Sequence, residues 1–176
     1  MGEKAPEASS YVPTRGRAFK GLLSHLAVVP GSVFVDLGSG KGKALLLASG
    51  VGFSKVVGVE FSRSLCAIAK QNAERYSQRS GRALKIEIVC SDAATYAIRP
   101  NENVFFMFHP FGASVMERVV ENIQKSLAEA PRRIWIIYTL PLLRHMLEEG
   151  LGVHRAHTYV YGGFEFVVLT NAPTTA

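Results

Sequence analysis

The sequence predicts an α/β fold: a doubly wound, mostly parallel seven-stranded sheet with helices on both faces and a C-terminal antiparallel hairpin strand. Three observations predict it. Short β-branched apolar runs alternate with stretches of helical periodicity along most of the chain. The first such run closes on a glycine cluster, Gly38-Ser39-Gly40-Lys41-Gly42, where a strand hands over to a helix. The last two runs are joined only by a short turn around Gly162-Gly163, which suits a hairpin and not a crossover.

The elements follow in order. Thr14 can cap a first helix, in which Ala18, Phe19, Leu22, Leu23 and Leu26 recur at helical spacing until Pro30-Gly31 stops it. Val33 to Leu37 is a short run, apolar but for Asp36, that reads as a buried strand. A helix runs through Ala44–Ala48 and a second strand is Val56–Glu60. Ser62 caps a long helix over Arg63 to Arg79, with Leu65, Ile68, Ala69 and Asn72 on one face. Strands three and four are Leu84–Val89 and Val104–Phe108. Val115, Val119, Ile123 and Leu127 mark a helix from Ser114 to Leu127, Ile134–Tyr138 is strand five, and Pro141 opens a short helix to Glu149. Val153–Val160 and Phe164–Leu169 form the hairpin.

Composition bounds the rest. The chain has 176 residues, 48% hydrophobic and 19% charged, which is enough to bury a core in one domain. The reading is a flexible lead over 1–10, a single domain over 11–170 and a flexible tail over 171–176. Disordered and collagen-like classes are excluded, and two cysteines do not make a disulfide scaffold. No run of 18 apolar residues suggests a membrane span, the N-terminus lacks an apolar signal, and Pro6 spoils a myristoylation pattern at Gly2. The expectation is a cytoplasmic protein with reduced thiols. The net charge of +6 is compatible with an anionic partner such as RNA or a membrane surface, but no block of five like charges exists, and a basic-biased solvated surface explains it as well.

The glycine cluster carries the most information. A phosphate-binding Walker A loop needs four residues between its glycines and then Gly-Lys-Ser/Thr; here Lys43 precedes Ala44 and the spacing fails. The dinucleotide fingerprint G-x-G-x-x-G fails because the third glycine comes one residue early. Asp36 stands two residues before the cluster, where a pyrophosphate would be poorly served. An acidic residue two before G-x-G-x-G resembles motif I of the class I, Rossmann-like, S-adenosylmethionine (SAM)-dependent methyltransferases. The resemblance implies SAM as cofactor and S-adenosylhomocysteine as product. SAM carries an ammonium and a sulfonium and no phosphate, so a carboxylate at Asp36 favours it.

Later residues fit the same pattern. Glu60 ends the second strand 24 residues after Asp36, where the resemblance implies contact with both ribose hydroxyls. Asp92, after the third strand, corresponds to the acid against the adenine amino group, although by itself it reads equally as a helix cap. The implied cofactor set is Tyr11, Asp36, Gly38, Ser39, Gly40, Gly42, Glu60, Phe61, Asp92 and Ala93. Tyr11 belongs to a Tyr-Val-Pro segment that resembles one closing the cofactor site in some bacterial members, or else simply packs and caps.

Strand four runs into His109-Pro110-Phe111, the family's motif IV position, which implies the catalytic site. Members that methylate nitrogen carry Asn or Asp before the proline, and an aromatic after it covers the acceptor. Here His109 stands instead. A neutral imidazole can accept a hydrogen bond from an amine or remove its proton, or can be purely structural. Tyr138 either lines the acceptor side or packs in its strand. His154 and His157 make no metal site, because residues three apart in a regular strand face opposite sides. Cys66 reads as packed, Cys90, near the implied adenine end, as pocket lining or by default buried, and Arg132-Arg133 as a solvated turn. The chain is similar to Dot1-like and other protein-lysine methyltransferases, as a small core-only member. The expected function is SAM-dependent methyl transfer to an acceptor leaning toward an amine nitrogen, on a protein lysine or a small molecule. Alternatives are a non-catalytic SAM-binding scaffold or an RNA methyltransferase. No metal and no membrane partner are expected, and the oligomeric state stays open.

Overall fold

The computed structural model describes residues 16–26, 31–161 and 164–172. In chain order the elements are α1 (Gly16–His25), β1 (Val33–Leu37), α2 (Lys43–Ala48), β2 (Lys55–Glu60), α3 (Arg63–Ser80), β3 (Ile86–Cys90), a single 3-10 turn (Ala93–Thr95), β4 (Glu102–Phe108), α4 (Ala113–Glu129), β5 (Trp135–Thr139), α5 (Arg144–Leu151), β6 (His154–Tyr161) and β7 (Phe164–Thr170). They build one seven-stranded sheet in the order β3-β2-β1-β4-β5-β7-β6. β1 to β5 pair in parallel, and β7 enters antiparallel between β5 and β6. The strand order reverses at β1 and β4, which is the switch point where open α/β sheets bind ligands at their carboxyl edge.

Strand alternation sorts the core into two layers. Val35, Leu37, Val57, Val59, Phe105 and Met107 face the layer of α4 and α5. Phe34, Val56, Val104 and Phe106 face α1 and α2. On that second side Phe19 of α1 sits 4.7 Å from the Phe106 ring and 6.1 Å from Phe34, edge-on to the latter. Rings of this size supply about 1.5–3 kcal/mol each on full burial. β1 is buried along its whole length, Asp36 included.

Some expectations need correction. Ser62 does cap α3, its Oγ accepting from the Leu65 N–H at 3.4 Å. The face it buries, however, is Cys66 and Ala69, while Ile68 is exposed. α3 covers the edge strand β3, where close approach favours small side chains. α5 begins at Arg144, not at Pro141. Leu140 takes a positive φ of 52° and accepts the Leu142 N–H at 2.8 Å, so the chain turns tightly around Pro141 before the helix can start.

Arg132 is no solvated turn. Its guanidinium donates to the carbonyls of Glu102, Ser126, Ala130 and Arg99 and to the Ser126 hydroxyl, tying the end of α4 to the start of β4. Arg133 stacks over the Trp135 ring at 4.3 Å. Asn171, assigned to the flexible tail, instead accepts from the Ile134 N–H and donates to the Arg132 carbonyl, each at 2.9 Å. A register shift between Arg155 and His157 breaks the alternation of β6. His154 pairs with Thr170 and His157 with Val168, so both histidines fall on one side of the strand, contrary to the regular-strand argument. Among the described residues no group of three or more His, Cys, Asp or Glu side chains could hold a metal ion. No described helix is long and apolar enough to cross a membrane.

Candidate active site

The glycine cluster leaves the carboxyl end of β1 and folds back over β2. The N–H groups of Gly38 and Ser39 both donate to the Val59 carbonyl, at 2.9 and 3.0 Å. Gly38 has φ +87°, and a Cβ there would lie 2.4 Å from Cβ of Pro110. Glycine is therefore required twice over, by backbone conformation and by contact with the segment that follows β4. That contact joins the glycine loop to His109-Pro110-Phe111. The other side of the loop is held by α3, where the Asn72 amide donates to the Lys41 carbonyl at 3.0 Å. Gly58, the glycine of the Gly-x-Glu strand end, lies in the middle of β2. A Cβ there would meet Leu45 at 2.5 Å and the Ser39 hydroxyl at 2.8 Å, so β2 needs glycine for the loop to pass over it.

Two carboxylates are buried beneath this loop. Asp36 is 3% exposed and Glu60 5%. Burial, and secondarily repulsion from Glu60, push the Asp36 carboxyl from its ordinary 3.8 up to about 8. Glu60 accepts the Gly40 N–H on Oε2 at 2.8 Å and the Ser62 N–H on Oε1 at 2.9 Å. Each carboxylate oxygen has two lone pairs, so both keep capacity for a vicinal diol. Asp92 caps the 3-10 turn, its Oδ1 accepting the Ala94 N–H at 2.9 Å, and it is exposed. Phe61, just beyond Glu60, is exposed, and Ala93 is half-buried beside Asp92. Tyr11 lies outside the described residues.

The donor set fits SAM. The buried Ser39 hydroxyl has no hydrogen-bond partner among the described residues, directly over β2. A buried carboxyl of raised affinity for protons is relieved by a fixed cation, and a second carboxylate with spare lone pairs stands beyond it.

Strain and an orphaned polar group gather at the neighbouring strand ends. His109 has φ 36° and Leu140 φ 52°, and they are the described non-glycine residues with positive φ. They directly follow Phe108 and Thr139, which are register partners in β4 and β5, so the two strained residues sit side by side. Such conformations cost about 1–3 kcal/mol each and concentrate at functional sites. The Thr139 hydroxyl is buried without a partner among the described residues. His109 is half-buried, and its Nδ1 lies 3.2 Å from the Tyr138 hydroxyl with the rings nearly parallel. Tyr138 is fully buried, and burial pushes its phenol up to about 12, partly offset by a hydrogen bond from the Leu143 backbone. Phe111 is 6% exposed and packs into the layer under α4 with Met107, Met116 and Tyr138.

Comparisons with known proteins agree with this geometry. The family model described as "Histone methylation protein DOT1" matches residues 8–85. The mouse adenine nucleotide translocase lysine N-methyltransferase is 28% identical over 167 residues, covering 94% of this chain and 69% of that protein. Among solved structures, a SAM-dependent methyltransferase from Aquifex aeolicus superposes with a TM-score of 0.67 at 15% identity, covering 88% of this chain and 89% of that one. An RNA methyltransferase from Salinibacter ruber, solved with S-adenosylhomocysteine, superposes with a TM-score of 0.64 at 19% identity, covering 93% and 98%. The sheet is that of SAM-dependent methyltransferases, and the family match over residues 8–85 and the similarity to a lysine N-methyltransferase point to the same class, with SAM as the cofactor the site fits.

Proposed function

We propose that the chain transfers the SAM methyl group to an amine nitrogen, with a protein lysine as acceptor. The observation that carries this reading is His109, strained and half-buried, paired with the buried Tyr138 hydroxyl and set beside the glycine loop through the Pro110–Gly38 contact. The similarity to a lysine N-methyltransferase along almost the whole chain supports the same acceptor class.

The roles follow from the chemistry of each group. Asp36 holds the positive end of the cofactor, and releases its proton as it does so. Gly38, Ser39, Gly40 and Gly42 let the backbone wrap that end. Glu60 takes the ribose hydroxyls on the lone pairs its two backbone amides leave over. Phe61, Asp92 and Ala93 line the adenine, and Tyr11 closes the site. SAM supplies a methyl on a sulfonium, which leaves as a neutral thioether. The protein must then deliver an unprotonated amine in line with that methyl. An ammonium has no lone pair. His109 accepts the amine's proton or hydrogen bond on Nε2 when Nδ1 carries its hydrogen toward the Tyr138 oxygen. Tyr138 thus fixes the ring and its tautomer. Pro110 holds the segment against Gly38, and Phe111 supports it from the core side.

The test is incubation with methyl-labelled SAM and three acceptor sets: lysine-containing proteins, small amines and structured RNA. Label on lysine, lost when the lysines are acetylated beforehand, is the expected result. Label confined to RNA overturns the acceptor and favours the chemistry named for the Salinibacter ruber neighbour.

A further inference from the structure

Both cysteines of the chain fall at one place. Cys66 lies in the first turn of α3 and is buried; Cys90 is the last residue of β3 and is exposed. They converge on Glu60. The Cys66 thiol donates to the Glu60 carbonyl at 3.2 Å, and Cys90 is the register partner of Glu60 across the parallel β2–β3 pair. Strand parity turns Cys90 toward α3, since Ile86 and Ile88 on the same side of β3 pack with the α1–α2 layer. Both cysteines therefore sit against Glu60 on the α3 side of the sheet; burial, and next the neighbouring Cys90 thiol, push the Cys66 thiol up to about 12, so Cys66 is not the first to react. The pair stands between Glu60 and Asp92. The exposure of Cys90 corrects the expectation that it would be buried.

We infer that Cys66 and Cys90 form a peroxide-oxidisable dithiol in the wall of the nucleoside site, whose closure to a disulfide weakens SAM binding. The coupling to SAM rests on the assignment of Glu60 and Asp92 to ribose and adenine. The chemistry balances with one hydrogen peroxide. The sulfur of Cys90 attacks the peroxide, a sulfur–oxygen bond forms, the oxygen–oxygen bond breaks and one water leaves. Cys66 sulfur then displaces the sulfenic oxygen, the disulfide forms, and the Cys66 proton departs with that oxygen as a second water. A sulfur–sulfur bond of about 2.05 Å draws Cys90 inward and takes the Cys66 hydrogen off the Glu60 carbonyl. Ser91 and Asp92 follow Cys90 directly, so the adenine side moves with it.

The experiment treats the reduced full-length chain with hydrogen peroxide, alkylates it under denaturing conditions and maps the peptides by mass. The expected product is a Cys66–Cys90 cross-link that dithiothreitol reverses, with SAM affinity by calorimetry reduced several-fold and restored by the reductant. In Cys66→Ala the same treatment adds oxygen to Cys90 instead. Wild-type protein that gains oxygen on Cys90 while Cys66 remains alkylatable overturns the dithiol. A cross-link that leaves SAM affinity unchanged overturns the coupling. Reduced protein that binds no SAM defeats the nucleoside assignment alone, because the mass map reads the bridge independently.

Discussion

Asp36 couples binding to stability. Its folded-state carboxyl titrates near 8 and its unfolded value is 3.8, so between those values the folded chain keeps a proton that the unfolded chain has released. Stability from this group is fully present below the unfolded value and is lost as pH rises toward and through 8. Asp36→Asn mimics the protonated form at every pH. Its melting temperature should exceed that of the wild type by a margin that grows between pH 5 and pH 8, while SAM binding is lost. A margin that does not grow means the carboxyl ionises freely in the folded chain. At the other half of the site, His109→Ala should leave SAM affinity intact and lower kcat by about 10²–10⁴-fold, the order general-base loss costs. Tyr138→Phe should lower kcat less and shift its pH profile, since it removes the hydroxyl that sets the His109 ring. Wild-type turnover in both variants, measured on a true acceptor, would falsify the role given to this pair.

At the scale of elements, the glycine loop and Arg132 make opposite kinds of claim. Gly38→Ala places a Cβ 2.4 Å from Pro110, so the loop and the post-β4 segment must separate. Calorimetry on that variant should show SAM binding abolished, in a chain that still folds. Arg132→Ala should spare the site and destabilise the molecule by about 2–3 kcal/mol, because it removes a charged donor from several carbonyls. Thermal denaturation should then shift down by roughly 5–10 °C for a chain of this size. An unchanged midpoint means water replaces the guanidinium at no cost. The same contrast shows what sequence patterns carry. Asp36, the glycines and Glu60 were legible because their spacing is local and strand ends are easy to place. Arg132 was not, because its bonds to Glu102 and Arg99 reach back 30 and 33 residues to the start of β4, and no local pattern announces them. The steric reason for Gly58 needed the loop above it to be seen. The missed face of α3 has the same origin: hydrophobicity nominated Ile68, whereas packing on an edge strand selected Cys66 and Ala69.

For the whole molecule, strand and helix alternation was enough to read the sheet, its parallel part and the terminal hairpin. Periodicity could not show that a bulge in β6 would bring His154 and His157 to one side, or that both cysteines would meet at Glu60. Nor does the net charge show its distribution. The described cations of α1 to α3, among them Arg17, Lys20, Lys43, Arg63, Lys70 and Arg75, share those helices with one acid, Glu74. The acids Glu117, Glu121, Glu129, Glu148 and Glu149 lie on α4 and α5 across the sheet. Arg118, Lys125 and Arg144 on the same two helices offset these acids in part, so the contrast lies in the basic α1–α3 layer, and the carboxyl-edge site lies between the two layers.

A calorimetric titration of the reduced chain with SAM, S-adenosylhomocysteine and NAD tests the buried-carboxylate site most directly. Micromolar binding of the first two, no heat with NAD, and release of a proton on SAM binding at pH 7 are the predicted results. Binding of NAD alone, or no binding of SAM by a chain that melts cooperatively, would contradict the assignment of Asp36 and the glycine loop to SAM.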